Sequence, residues 1–248
     1  MRKVALITGG SRRIGAAIAD RLAEAGHAIV VHGREAIGTE AKAAELRGKG
    51  AEAASLVSDL ADLASLPSLM EAAALPFGPV TLLVNNASLF EKDSLASLSP
   101  ESFAANLAVN LQAPVLLAQA FAKALPEGRP GAIVNLIDQR VFRPNPQFFS
   151  YTLAKSALFT ATRTLAQALA PRGIRVNGVG PGPTLPNIHD GMEGFAAEAA
   201  GTLLGRAVSP AEIAEAVLFL AQAQAVTGQM IAVDSGQHLG WQTPDVVD

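Results

Sequence analysis

Residues 4–15 read Val4-Ala5-Leu6-Ile7-Thr8-Gly9-Gly10-Ser11-Arg12-Arg13-Ile14-Gly15: four apolar residues, a glycine-rich turn, and then the start of a helical pattern. A short apolar run bounded by turn residues reads as a buried strand, and the 3.6-residue apolar period over 14–25 reads as an amphipathic helix. The same alternation recurs along the chain. Runs at 28–31, 53–57, 80–84, 132–136, 175–179 and 230–233 alternate with helical patterns at about 38–48, 62–75, 100–125, 150–170 and 210–221. This predicts an α/β fold, a doubly wound parallel seven-stranded sheet with helices on both faces. The strands are continuously apolar, as burial on both faces requires.

Composition narrows the function. Half of the 248 residues are apolar and 17% are charged, which excludes a disordered chain. No uninterrupted apolar stretch reaches a membrane span, and Met1-Arg2-Lys3 is followed by only four apolar residues, so neither a membrane role nor a secretory leader is expected and the chain is read as cytoplasmic. The lack of cysteine removes disulfides, thiolate catalysis and cysteine-held metals. His27, His32, His189 and His238 show no ligand spacing, so no metal site is expected. A net charge of −3 with 5% aromatics leaves no footprint for nucleic acid. The expected partners are a small molecule and other copies of the chain. No linker or repeat divides 1–248, so one domain is expected. The proline- and glycine-punctuated segment 181–205 reads as a flexible substrate lid, and the aperiodic tail 241–248 as surface or subunit contact.

The turn after the first strand can let the backbone approach a pyrophosphate, whose charge meets the positive end of the following helix. The dinucleotide half would then span about 1–90, with the catalytic and substrate part at about 91–248. The second strand ends in His32-Gly33-Arg34. An Arg here suits the 2′-phosphate of NADPH, with Arg12 and Arg13 as further cations, whereas Glu35 would favour NADH if it faced the ribose. NADPH is the expected cofactor. Asp59, after the third strand, either receives the adenine amino group or, like Asp62, caps a helix.

Tyr151 and Lys155 lie four apart at the start of the pattern 150–170, hence on one helix face. A nearby ammonium would favour the phenolate and lower its pKa, making a general acid/base unit. Tyr151 is the sole tyrosine of the chain.

In order and spacing, Thr8–Gly15, Asp59, Asn85-Asn86-Ala87, Asn110, Tyr151-x-x-x-Lys155, Arg175-Val176-Asn177, Pro181-Gly182, Thr227-Gly228-Gln229 and Val233-Asp234-Ser235-Gly236 resemble the short-chain dehydrogenase/reductase family over almost the whole chain. The resemblance implies a Rossmann fold and hydride transfer from NAD(P)H to a carbonyl or imine. It makes Tyr151 the proton donor, puts Lys155 on the nicotinamide ribose, and has Asn110 support a proton-relay water. It implies a cofactor-binding set of Gly9, Ser11, Arg12, Arg13, Ile14, Gly15, His32, Gly33, Arg34, Asp59, Leu60, Asn86, Ala87, Ser88, Tyr151, Lys155, Pro181 and Gly182. It also implies a homotetramer through the helices at about 100–125 and 150–170.

Two departures narrow the resemblance. Asp138 stands thirteen residues before Tyr151, where most members have a carbonyl-polarising Ser, and Arg13 stands where most have Gly. With Phe90 after the fourth strand, these resemble the pteridine reductase branch. There an Asp–Tyr–Lys set performs the proton work, the turn Arg reaches cofactor phosphate and pterin, and a Phe stacks the pterin over the nicotinamide. The implied substrate set is Arg13, Ser88, Phe90, Asp138 and Tyr151. Each has a plainer role open to it: Phe90 as loop core, Asp138 as a turn residue, Arg13 as a phosphate ligand only. Two other functions fit the same motifs, a carbonyl or 3-oxoacyl thioester reductase and a catalytically idle nucleotide-binding regulator. Intact Tyr151, Lys155 and Asn110 weigh against the regulator.

Overall fold

The computed structural model describes residues 2–187, 189 and 191–242. The first strand, β1 (Val4–Ile7), leads to α1 (Arg13–Glu24), followed by β2 (Ala28–Gly33), α2 (Ala36–Gly48), β3 (Ala53–Val57), α3 (Leu66–Ala74) and β4 (Leu82–Asn85). The second half runs α4 (Pro100–Leu107), α5 (Ala113–Ala124), β5 (Gly131–Leu136), α6 (Phe149–Leu169), β6 (Ile174–Pro181), α7 (Gly191–Ala200), α8 (Pro210–Gln222) and β7 (Met230–Val233). All strands pair in parallel in the order β3-β2-β1-β4-β5-β6-β7.

Strand alternation sorts the core into two layers. Val4 and Leu6 of β1 face α3, α5 and the end of α6, while Ala5 and Ile7 face α1, α2 and α8. The order reverses direction between β1 and β4, and in open parallel sheets a ligand crevice forms outside the strand ends at such a switch point.

The predicted strands and six of the helices are present, with three differences. The pattern 100–125 is one continuous rod, but a π-turn at Ala108–Gln112 separates α4 from α5. A π-turn inside a helix re-aims its residues and is frequent at functional sites. Pro100–Ala124 is long and apolar enough by composition to cross a membrane; about 33% of that apolar stretch is buried, with Ala113, Leu117, Ala118 and Phe121 in the core. The pattern 62–75 starts as a 3-10 turn, Leu63–Ser65, and its Asp62 makes no side-chain cap. The segment 181–205, expected to be irregular, contains α7. Of the tail, Trp241 is exposed, and 243–248 lie outside the described residues.

Two arginines and a histidine at the lower ends of the strands have local work. Arg175 donates to the carbonyls of Leu220 and Ala221 at the end of α8, Arg172 to that of Leu125 after α5, and His27 contacts that of Leu22 in α1. They satisfy the orphan carbonyls and negative dipole ends of the helices.

One close approach holds the turn above β1. A Cβ added to Gly15 would lie 2.1 Å from the Gly9 carbonyl oxygen and 2.6 Å from Asn86 Nδ2. Gly15→Ala must therefore push backbone apart. Its expected effect is a loss of about 1–3 kcal/mol in urea unfolding, the range for overpacked sites; an unchanged midpoint would show the turn to be looser than this contact implies.

Candidate active site

The site lies at the upper ends of β1, β4, β5 and β6. Thr8, buried at the end of β1, holds the turn through its hydroxyl, which donates to the Val84 carbonyl at 3.3 Å and accepts from the N–H groups of Asn86 and Ala87 at 2.9 and 3.0 Å. Asn86 Nδ2 donates in return to the carbonyls of Thr8 and Gly9 at 2.9 and 3.0 Å. The side chain of Asn86, expected to face the cofactor, is thus a clamp on the turn. His32 differs from expectation in the same way. Its ring is 2% exposed beneath the turn, with Nδ1 accepting from Gly9 N at 3.4 Å and Nε2 paired with the Ser58 hydroxyl at 3.0 Å. Burial pushes its pKa down to about 4, so the ring is neutral. Leu60 is also corrected: its side chain lies in the core with Val30 and Leu66.

Apart from Arg13, residues expected to take phosphate remain available. The start of α1 has no side-chain cap and no acidic residue in its first turn, leaving its first N–H groups for an anion. Arg12 and Arg34 are exposed, and so is Glu35, which precedes α2 and makes no cap bond. Arg13 sits at φ 53, in the left-handed region that favours glycine, and its guanidinium donates to the carbonyls of Leu185 and Pro186 at 3.3 and 3.0 Å. It bridges the turn to the segment after β6. Gly33 packs on Thr39, and Gly182 on Asp234. Asp59 accepts from Ala61 N at 2.9 Å and so closes a local turn, not the helix cap its spacing had allowed.

Asp138 follows β5 and Tyr151 opens α6, and the two side chains meet. The Tyr151 hydroxyl donates to Asp138 Oδ2 at 2.9 Å, while Asp138 Oδ1 accepts from Arg140 N at 2.8 Å. Asp138 therefore caps its turn and faces the phenol at once. Lys155, 2% exposed, donates to the Leu136 carbonyl at 2.7 Å and stands 5.6 Å from the Tyr151 ring centre.

The electrostatics run opposite to expectation at the tyrosine. Burial, and then the charge of Asp138, raise Tyr151 well above the ordinary phenol value, where a lowering by Lys155 was expected. Burial also raises Asp138, opposed by its bond to the Arg140 N–H, and lowers Lys155 to about 8. Two acids in one dry site compete for charge, so the phenol keeps its proton and is poised as a donor.

Asn110, in the π-turn and fully buried, uses its whole amide inside the chain. Its Oδ1 accepts from the Ser88 hydroxyl at 2.8 Å and Leu89 N at 3.2 Å, and its Nδ2 donates to the Leu89 carbonyl at 2.8 Å and Asn106 Oδ1 at 3.1 Å. The side chain holds the loop after β4 in place and has no free valence for a water.

Phe90, on that loop, is stacked on Phe148 at 4.1 Å and meets the Tyr151 ring edge-on at 4.8 Å. One of its faces is thus covered by the Phe148 ring. His189 closes the group, its Nε2 3.3 Å from the Phe90 carbonyl oxygen, and Arg140 lies 5.1 Å over the Phe148 ring. Phe148, His189 and Arg140 carried no signal in the sequence, because the chain separation between Phe90 and His189 hides the contact.

Comparison with known proteins places this arrangement. The sequence profile described as enoyl-(acyl carrier protein) reductase matches residues 9–238. D-threitol dehydrogenase of Mycolicibacterium smegmatis is 35% identical over 239 residues, covering 94% of this chain and 92% of that protein. The 3-oxoacyl-[acyl-carrier-protein] reductase FabG of Staphylococcus aureus is 31% identical over 244 residues, 96% of this chain and 99% of its own. The crystal structure of FolM alternative dihydrofolate reductase 1 from Brucella canis complexed with NADP superposes with a TM-score of 0.94 at 46% identity, covering 99% of this chain and 97% of that one.

The buried His32 makes stability depend on pH. The unfolded histidine takes a proton below about 6.5, whereas the folded one refuses it until about 4, so stability is full above pH 6.5 and declines as pH falls through that window. The loss attributable to His32 is roughly 3 kcal/mol by pH 4. Denaturant unfolding from pH 7.5 downward should show a shallower acid decline in His32→Gln than in the wild type; parallel declines would refute the assignment.

Proposed function

The chain belongs to the short-chain dehydrogenase/reductase family of oxidoreductases, and on that premise we propose that it is an NADPH-dependent reductase of a pterin-type substrate, of the dihydropterin or dihydrofolate class. Hydride goes to a ring C=N and Tyr151 supplies the proton to the nitrogen. The observation that carries this reading is the hydrogen bond from the Tyr151 hydroxyl to Asp138. An ionised carboxylate beside the proton donor would repel a carbonyl oxygen, but it accepts from the ring N–H and amino groups of a pterin. The likeness to the NADP-bound Brucella protein supports the same reading.

The residues present fit the cofactor. The uncapped start of α1 offers N–H groups to the pyrophosphate, the switch point between β1 and β4 offers the crevice, and Arg34, with Arg12, suits the 2′-phosphate. Gly9, Ser11, Ile14 and Gly15 border this crevice along the turn, while Gly33, Ala87, Ser88, Pro181 and Gly182 border it at the ends of β2, β4 and β6. When bound, NADPH supplies the hydride.

The chain supplies the rest. Tyr151 holds its proton until the ring nitrogen becomes basic, and its phenolate is then balanced by the Lys155 ammonium one helical turn away. Asp138 orients the phenol and, with its own raised pKa, shares the proton of the pair. The half-buried ring of Phe90, beside Tyr151, provides an aromatic surface for a flat heterocycle. Arg13, tied to the carbonyls after β6, closes the substrate side of the turn. Support for a relay water falls to the backbone of the π-turn, since the amide of Asn110 is committed. We place the enzyme in the cytoplasm as a homotetramer through the helices at about 100–125 and 150–170, where Leu153 is 43% exposed.

A second reading, reduction of a carbonyl or 3-oxoacyl thioester, is favoured by the likeness to the staphylococcal and mycobacterial enzymes. NADPH-oxidation assays with dihydrobiopterin, dihydrofolate and acetoacetyl thioester separate the two. Pterin turnover is expected, with Tyr151→Phe lowering kcat by about a hundredfold or more and Asp138→Ser shifting preference toward the thioester. Turnover of the thioester alone would overturn the pterin reading, and NADPH binding without any turnover would favour an idle regulator. Phe90→Ala should raise KM for a pterin about tenfold while leaving the Kd for NADPH in place; equal effects on both would remove the stacking role.

A further inference from the structure

The helix that carries Tyr151 and Lys155 has no side-chain cap of its own. Its N-cap position is occupied by Phe148, held in the left-handed region at φ 50 and ψ 54, and a phenyl ring accepts nothing from the first-turn N–H groups. The acceptors come instead from a residue on another segment. The Asp93 carboxylate accepts from Ser150 N at 3.1 Å through Oδ1 and at 3.3 Å through Oδ2, and also from the Ser150 hydroxyl. The Asp93 backbone carbonyl accepts from Phe149 N at 3.5 Å. Ser150 is fully buried, so its N–H has no water to turn to.

Asp93 lies three residues beyond Phe90, on the segment between β4 and α4. The near end of that segment is held by Asn110 through Ser88 and Leu89, and the far end by the start of α6. The contacts of Phe90 with Phe148 and Tyr151 sit between these two ties. A carboxylate at this place also meets the positive end of a 21-residue helix.

We infer that Asp93 is a positioning residue: by capping α6 from outside, it fixes the Tyr151 hydroxyl relative to Asp138 and Phe90 and keeps water from it. This rests on Tyr151 as the proton donor, and adds the device that places it. The groups facing the phenol are Asp138, Arg140, Lys155 and Ser88, so Asp93 acts through position and contributes no atom to the proton transfer.

Because Tyr151 is the sole tyrosine, its ionisation is read directly by ultraviolet absorbance in alkaline titration, with no substrate present. In the wild type the phenolate forms well above the ordinary value. In Asp93→Ala it should form about one pH unit or more earlier, while circular dichroism reports a folded chain. Asp93→Asn, which keeps an acceptor for Ser150 N, should stay near the wild type. With NADPH and dihydrofolate, Asp93→Ala should lower kcat about tenfold and leave the Kd for NADPH unchanged. Asp93→Ser takes the place of the alanine variant if that one does not fold, with the same expectation. A folded Asp93→Ala that titrates as the wild type does overturns the inference, and so does Asp93→Asn shifting as far as Asp93→Ala, which would make charge, and not the cap, the cause. If the wild type leaves dihydrofolate untouched, the pterin reading fails while the titration still decides the role of Asp93.

Discussion

The hydroxyl of Thr8 is the joint on which the site is built. It donates to Val84 and accepts from Asn86 and Ala87, so the end of β1 and the end of β4 are held together at the point where the strand order reverses. A parallel sheet leaves the backbone groups beyond its last rungs unpaired, and a buried unpaired N–H is costly. Thr8 and Asn86 satisfy these groups side chain to backbone. The nucleotide turn and the loop carrying Ser88 and Phe90 then leave the sheet from one rigid corner.

A second set of polar groups carries that order into the catalytic helix. Asn85 at the end of β4 donates to Asn135 of β5 at 2.9 Å, and Asn135 donates to the hydroxyl of Thr162 in α6 at 2.9 Å. This chain is buried throughout, and buried amides specify one rotation of a helix where apolar contacts tolerate several. Lys155 adds a third tie, to the Leu136 carbonyl. The rotation of α6 is therefore set by bonds to β5, and its first turn by bonds to the loop after β4. Tyr151 stands where the two constraints meet.

That placement explains the electrostatics. Tyr151, Asp138 and Lys155 are all shifted toward their neutral forms because all are withdrawn from water; Asp138 and Lys155 partly restore charge to each other, while the charge of Asp138 pushes the phenol further toward its neutral form. A phenol in such a setting retains its proton until a base arrives beside it. Phe90, Phe148 and His189 pack as one aromatic group beside that phenol.

The sequence determined the sheet, because apolar strands and amphipathic helices have periods that differ locally: β1, β3 and β7 fall at the predicted bounds. It also determined the pairing of Tyr151 with Lys155, since residues four apart on a helix share a face whatever surrounds them. The π-turn at Asn110 was not legible, since it breaks no hydrophobic period, and α7 was hidden by the glycines and prolines around it. What tertiary structure alone decided is which polar side chains face the crevice and which support it. His32, Asn86 and Leu60 lie at the right places in the chain to touch a nucleotide, yet their side chains turn into the protein. Asp93, with no motif to mark it, caps the helix of Tyr151. The reason is physical: a backbone donor left bare at a strand or helix end takes the acceptor nearest in space, and nearness in space is set by the crossing of segments, which no local pattern of residues records.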